Sequence, residues 1–228
     1  MIDEIELPKG RRLLVVRDDL HPGGTKARVI PSMLEPGREY CYATPAFGCA
    51  QIALALSAKE RGARATIFCA KRKEPHARTQ RAIEAGARLI EVPNGYMTVV
   101  AARARAYCAQ SGAELLPFGL DCRAMQEGIA ELARALKLKP LEVWSCAGSG
   151  TLSRALQSAW PEARFRAVSI GARANTGRAV QLKAPEKFEQ SAQEAPPFPS
   201  CSNYDAKAWR FILQHARDGA LFWNVAAD

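Results

Sequence analysis

The amine of a lysine condenses with aldehydes when it is neutral, and one lysine here is carried in a way that suits such chemistry. Lys26 lies in His21-Pro22-Gly23-Gly24-Thr25-Lys26-Ala27-Arg28, just after the apolar run Leu13-Leu14-Val15-Val16 and the turn Arg17-Asp18-Asp19. Glycines let backbone approach a flat ligand closely and adopt angles closed to other residues, so a lysine delivered on a double glycine projects into a pocket. Burial there lowers its pKa and frees the amine near neutral pH. The structural alternative is a solvated surface charge. A second chemical stretch is Ser145-Cys146-Ala147-Gly148-Ser149-Gly150-Thr151, between the strand-like Leu141-Glu142-Val143-Trp144 and a helix over 152–159. Its amides and the helix dipole favour an anion, a phosphate above all. The alternative is a tight turn needing small residues. It is not a nucleotide P-loop, since the Gly-Lys-Ser/Thr ending is missing.

The elements that position these stretches alternate. A short buried strand over 13–16 precedes the lysine, and 31–38, with two prolines and a glycine, holds a short helix at most. A strand over 39–43 runs into Thr44-Pro45-Ala46-Phe47-Gly48-Cys49-Ala50-Gln51, and an alanine-rich helix over 52–59 ends at Gly62. A strand at 65–69, a helix at 79–85 stopped by Gly86 and a strand at 89–92 follow, which defines a parallel α/β lobe. Further on the pattern predicts helices over 97–110 and 124–136, strands over 114–117 and 165–170, a long loop or lid over 183–199, a helix over 206–215 and a last strand over 221–225.

At 228 residues, 48% hydrophobic and 24% charged, the chain has the composition of a folded soluble protein. The acidic N-terminus Met1-Ile2-Asp3-Glu4-Ile5-Glu6 does not read as a signal peptide, and no apolar run approaches membrane-spanning length. Cys41, Cys49, Cys69, Cys108, Cys122, Cys146 and Cys201 are odd in number and lack a C-x-x-C pair, which points to free thiols in a reducing cytoplasm. Only His21, His76 and His215 are present, with no pairing at ligand spacing, so no metal site is expected. The net charge of +9 is concentrated in eight basic residues against two acids between Lys59 and Arg81. That run is either a solvated helix face or a contact for a polyanion such as DNA.

Taken in order, Gly23-Gly24-Thr25-Lys26-x-Arg28, Thr44-Pro45-Ala46-Phe47-Gly48-Cys49-Ala50 and Ala147-Gly148-Ser149-Gly150-Thr151 resemble the fold-type II pyridoxal-phosphate enzymes, the tryptophan synthase β family, and within it the aminocyclopropane-carboxylate deaminase and D-cysteine desulfhydrase branch. The likeness extends from about Arg17 to Gly171 and includes Ala65-Thr66-Ile67-Phe68 and Ala85-Gly86-Ala87-Arg88-Leu89-Ile90. It implies an α/β fold of two parallel-sheet lobes with pyridoxal 5'-phosphate between them: a large cofactor-binding lobe of residues 1–40 and 111–228, and a small lobe of residues 41–110. Lys26 is then the Schiff-base lysine, and Ala147, Gly148, Ser149, Gly150 and Thr151 hold the phosphate. Thr44, Pro45, Ala46, Phe47, Gly48, Cys49 and Ala50 form the loop for the substrate carboxylate, with Cys49 also beside the cofactor's phenolic oxygen. Ser200, Cys201 and Ser202 are candidates to face the pyridine nitrogen by position, and Tyr204 to lie over the ring.

Several positions depart from the family pattern. Thr25 replaces asparagine in G-G-N-K-x-R, Cys49 replaces the asparagine of T-x-S-x-G-N-H, Ala50 replaces its histidine, and the chain is shorter than usual. The resemblance implies a lyase-like reaction at the α-carbon of an amino-acid-type substrate (elimination, deamination or decarboxylation) and a homodimer. The basic run adds the expectation of a substrate attached to nucleic acid, as in viral DNA base hypermodification. Two other readings stay open. One is a non-catalytic binding protein that keeps the fold; the other is a phosphoribosyltransferase-like protein, because Asp18-Asp19 followed by Gly23-Gly24-Thr25 also resembles a ribose-phosphate loop.

Overall fold

The computed structural model describes residues 1–93, 95–171 and 174–228. In chain order the elements are β1 (Ile2–Leu7), β2 (Arg11–Arg17), the single turn α1 (Gly24–Ala27), β3 (Glu39–Ala43), α2 (Ala50–Arg61), β4 (Arg64–Ala70), α3 (Ala77–Glu84) and β5 (Arg88–Val92). They continue with α4 (Met97–Ser111), β6 (Glu114–Leu116), α5 (Arg123–Ala135), β7 (Glu142–Ala147), α6 (Thr151–Ala159), β8 (Arg164–Ser169), β9 (Val180–Lys183), α7 (Trp209–His215) and β10 (Ala220–Asn224). The chain separates into two compact units, Met1–Thr25 with Asp121–Asp228, and Lys26–Leu120.

The first unit is built on a six-stranded sheet in the order β1-β2-β10-β7-β8-β9, in which only β1 runs antiparallel to its neighbour. The central strands β7 and β10 are buried at every position, as strands covered on both faces must be. Trp144, Phe222, Leu13, Val15, Ile212 and Phe198 form the core of this unit. Its two fully buried indoles each keep a hydrogen bond: Trp144 Nε1 donates to Glu142 Oε1 at 2.7 Å, and Trp223 Nε1 lies 3.0 Å from both Asp18 Oδ2 and Thr25 Oγ1.

The second unit carries a parallel sheet in the order β5-β4-β3-β6. The expected strand–helix alternation is present, and each predicted element has a counterpart displaced by up to three residues at its ends, the largest shift being the strand expected over 141–144, which runs on to Ala147, except that the last predicted helix is a 3-10 turn (Asp205–Ala208) running into α7. Two edge strands, β1 and β9, were not expected. Both mix polar and apolar residues (IDEIEL, VQLK) and owe their conformation to pairing with β2 and β8. The 183–199 stretch is largely irregular, as expected, but it is tied down: Lys207 Nζ donates to Lys187 O at 2.7 Å, Asn203 Nδ2 to Phe188 O at 3.0 Å, and Phe198 is buried edge-on against Trp209.

All seven cysteines are free thiols. Burial, and then the negative charge of Asp205, pushes the Cys146 thiol well up; burial does the same at Cys41 and lifts Tyr42, whose hydroxyl accepts from Gly119 N, to about 12. A raised pKa means the folded state keeps a proton that the unfolded chain releases above its own thiol pKa, about 8.5. The stabilisation is therefore complete below that pH and is lost as pH rises. The melting temperature is expected to fall between about pH 8.5 and about pH 10, and Cys146→Ala to flatten the slope. Thermal melts at constant ionic strength check this, and a profile with no alkaline fall contradicts it.

Candidate active site

The lysine loop is held by the first unit's central strand. Gly24 has φ +69, and a Cβ built on it meets Val225 O at 2.2 Å, so only glycine allows this approach to the end of β10. The next residue closes the contact: Thr25 N donates to Val225 O at 3.1 Å, and Thr25 Oγ1 accepts from Trp223 Nε1. Threonine at the asparagine position of the family pattern is thus a buried anchor. Asp18 and Asp19 shape the approach. Asp18 accepts from Trp223, and Asp19 takes both a forked ion pair from Arg17 and a hydrogen bond from Asn224 Nδ2 at 2.8 Å. Lys26 follows directly on this pinned turn and is half-buried.

The Ala147–Thr151 stretch joins β7 to α6. Gly150 has φ +91, and its Cβ would fall 1.8 Å from Asn175 O, a position no side chain fits. Ser149 Oγ and Thr151 Oγ1 lie 2.9 Å apart at the start of the nine-residue α6. Two hydroxyls beside a helix N-terminus, with no acid in the loop, form a donor set that fits the phosphate of pyridoxal phosphate. Behind them Gly148 N donates to Tyr204 Oη at 2.8 Å, which sets the angle of the loop, and burial pushes the Tyr204 phenol well up, so it stays protonated.

Ser200, Cys201 and Ser202 point to different places. Ser200 Oγ bonds Asn224 Oδ1 at 2.8 Å, Cys201 is fully buried with Sγ 3.2 Å from Asn203 Oδ1, and Ser202 Oγ lies 3.5 Å from Ser191 Oγ.

In the second unit the loop over 44–49 leaves β3 and enters α2. Thr44 N donates to Phe68 O, Gly48 N to Pro45 O at 2.9 Å, and a Cβ on Gly48 would press on Thr44 Oγ1 at 2.7 Å. Three successive carbonyls are tied back by side chains. Gln51 Nε2 donates to Ala46 O and Gly48 O, both at 2.9 Å, and Arg78 donates to Phe47 O. Cys49 is half-buried and Ala50 begins the helix, so the positive end of a twelve-residue helix dipole, which favours an anion, lies at this loop. Gln51 and Arg78 were not singled out from the sequence. Arg78 lies 31 residues from its acceptor, a pairing that only the folded chain reveals.

The basic run is not one face. Arg78 is buried, whereas Lys59 and Arg61 at the end of α2, with Arg64 opening β4, are exposed at one end of that strand. Lys71, Arg72 and Lys73 are exposed past its other end. Seven residues of strand, about 20 Å, separate the two groups.

Residues 3–219 match the family model of pyridoxal-phosphate dependent enzymes, and the chain belongs to that family. Among solved structures it is similar to an ACC deaminase homologue (15% identity, 99% of this chain and 88% of that one, TM-score 0.85). It is also similar to the O-acetylserine dependent cystathionine beta-synthase of Helicobacter pylori (15%, 100% and 92%, TM-score 0.71) and the diaminopropionate ammonia lyase of Escherichia coli (14%, 95% and 78%, TM-score 0.66). No curated protein matches the sequence. The protein is a pyridoxal-phosphate dependent enzyme of fold type II, and two parallel-sheet α/β units are its architecture. Among the described residues no helix is long and apolar enough to cross a membrane.

Because a Cβ at Gly150 displaces the Asn175 carbonyl, Gly150→Ala is expected to lower stability by about 1–3 kcal/mol and to weaken cofactor binding by about tenfold or more. Equilibrium dialysis against pyridoxal phosphate, paired with a denaturant melt, reads both. Unchanged affinity would mean that the loop does not hold the phosphate.

Proposed function

We propose that this enzyme acts at the α-carbon of an amino-acid-type substrate, in the lyase or deaminase manner, by elimination, deamination or decarboxylation. The observation that carries the reading is the pinned Gly24-Thr25 turn, which delivers Lys26 from a rigid strand end instead of a free loop. Bound pyridoxal phosphate supplies an electron sink that stabilises negative charge at the α-carbon.

The chain's own residues do the rest. Ser149, Gly150 and Thr151 would hold the cofactor's phosphate. Lys26 would hold the cofactor through its amine, and the same amine is the group that would take or return the substrate's α-proton. The loop over 44–50, with its carbonyls tied back by Gln51 and Arg78, presents the start of α2 to the substrate carboxylate. The way this loop holds the carboxylate would orient the substrate's α-carbon and so select which reaction follows. With Cys49 in the family's asparagine position, a thiol replaces an amide donor there. A thiol is a weaker donor, so this chain's loop orients its ligand mainly through backbone.

The purified holoprotein is expected to absorb near the edge of the visible range, and Lys26→Ala to remove that band while leaving the far-ultraviolet circular dichroism unchanged. A colourless wild-type protein under saturating pyridoxal phosphate would instead favour a non-catalytic binding protein that retains the fold.

A further inference from the structure

Three consecutive cations, Lys71, Arg72 and Lys73, stand exposed beyond the C-terminal end of β4, and none of them forms an ion pair among the described residues. β4 pairs with β3 in parallel, Ala43 opposite Phe68, so this corner adjoins the loop that leaves β3. In open α/β sheets ligands bind outside the carboxyl ends of the strands.

One of the three is tied to that loop. The Arg72 guanidinium lies 5.4 Å from the centroid of the Phe47 ring, and the His76 ring packs against the same phenyl at 4.5 Å. Phe47 itself cannot drift, because buried Arg78 grips its carbonyl. Stacking on an aromatic face holds a guanidinium plane while leaving its edge N–H donors available, and an oxyanion is the group those edges fit. Arg72 therefore stands beside the 44–50 loop, held against one of that loop's own side chains. The cations at the far end of β4 are too distant to share this ligand.

We propose that Arg72, stacked on Phe47 and flanked by Lys71 and Lys73, is a specificity-determining residue that recognises a second oxyanion on the substrate, a phosphate or a carboxylate, in addition to the α-carboxylate. The proposal rests on the reading of the 44–50 loop as the substrate-carboxylate loop.

Isothermal titration of the holoprotein with O-phospho-L-serine and with L-serine tests it. Phosphoserine is expected to bind about tenfold more tightly or better. Arg72→Gln should bring the two ligands to within about threefold while leaving serine binding unchanged, and Lys59→Gln, at the other end of the strand, should preserve the preference. Competition by a single-stranded oligothymidylate identifies the anion's source: displacement of phosphoserine assigns it to nucleic acid, and no displacement assigns it to a small molecule. Equal affinities in the wild type, no binding of either ligand, or a loss in Lys59→Gln as large as in Arg72→Gln overturns the proposal. Failure of the underlying functional reading appears separately, as a holoprotein whose absorbance band does not depend on Lys26.

Discussion

The contact on which the account depends is the bare Cα of Gly24 against the carbonyl of Val225. At 2.2 Å from a hypothetical Cβ, the space admits no side chain, and the positive φ of Gly24 turns the chain so that Thr25 bonds both that carbonyl and the Trp223 indole. An indole buried beside Asp18 and Thr25 would be costly without these partners, so core packing and loop conformation are one constraint. A residue that follows such a turn inherits its rigidity. On the function proposed above, this is how the Gly24-Thr25 turn would present the Lys26 amine.

The same logic recurs in the other loops. Each leaves the carboxyl end of a parallel strand and enters a helix, and each is locked by groups distant in sequence: Asn175 against Gly150, Tyr204 on Gly148, Arg78 on Phe47. Irregular backbone gains order from such contacts, and sites set on strand ends gain geometric precision. The locks also explain why the stretch over 183–199 is less like a lid than its composition implies, since a buried lysine and a buried phenylalanine hold it.

The sequence made the strand–helix alternation legible because the central strands, such as the fully buried β7 and β10, are mostly apolar and because α2, α3 and α4 stop at or just before Gly62, Gly86 and Gly112. The glycine-rich loops were legible for a related reason: positive φ and close approach leave glycine as the residue that fits. Edge strands β1 and β9 were not, because their conformation comes from a neighbour. Nor were Gln51 and Arg78, whose roles depend on acceptors brought near only by folding, and the run of charge between Lys59 and Arg81 concealed that β4 sends its members to opposite ends.

The most direct measurement is the position and extent of the covalent adduct after borohydride reduction of the holoprotein, by peptide mass spectrometry, in the wild type and in Gly24→Ala. A single modified lysine, Lys26, is expected in the wild type, with a marked loss of its modification in Gly24→Ala and the remaining lysines, buried Lys207 included, unmodified in both. An adduct on another lysine, or full modification of Lys26 despite the added methyl group, would contradict it.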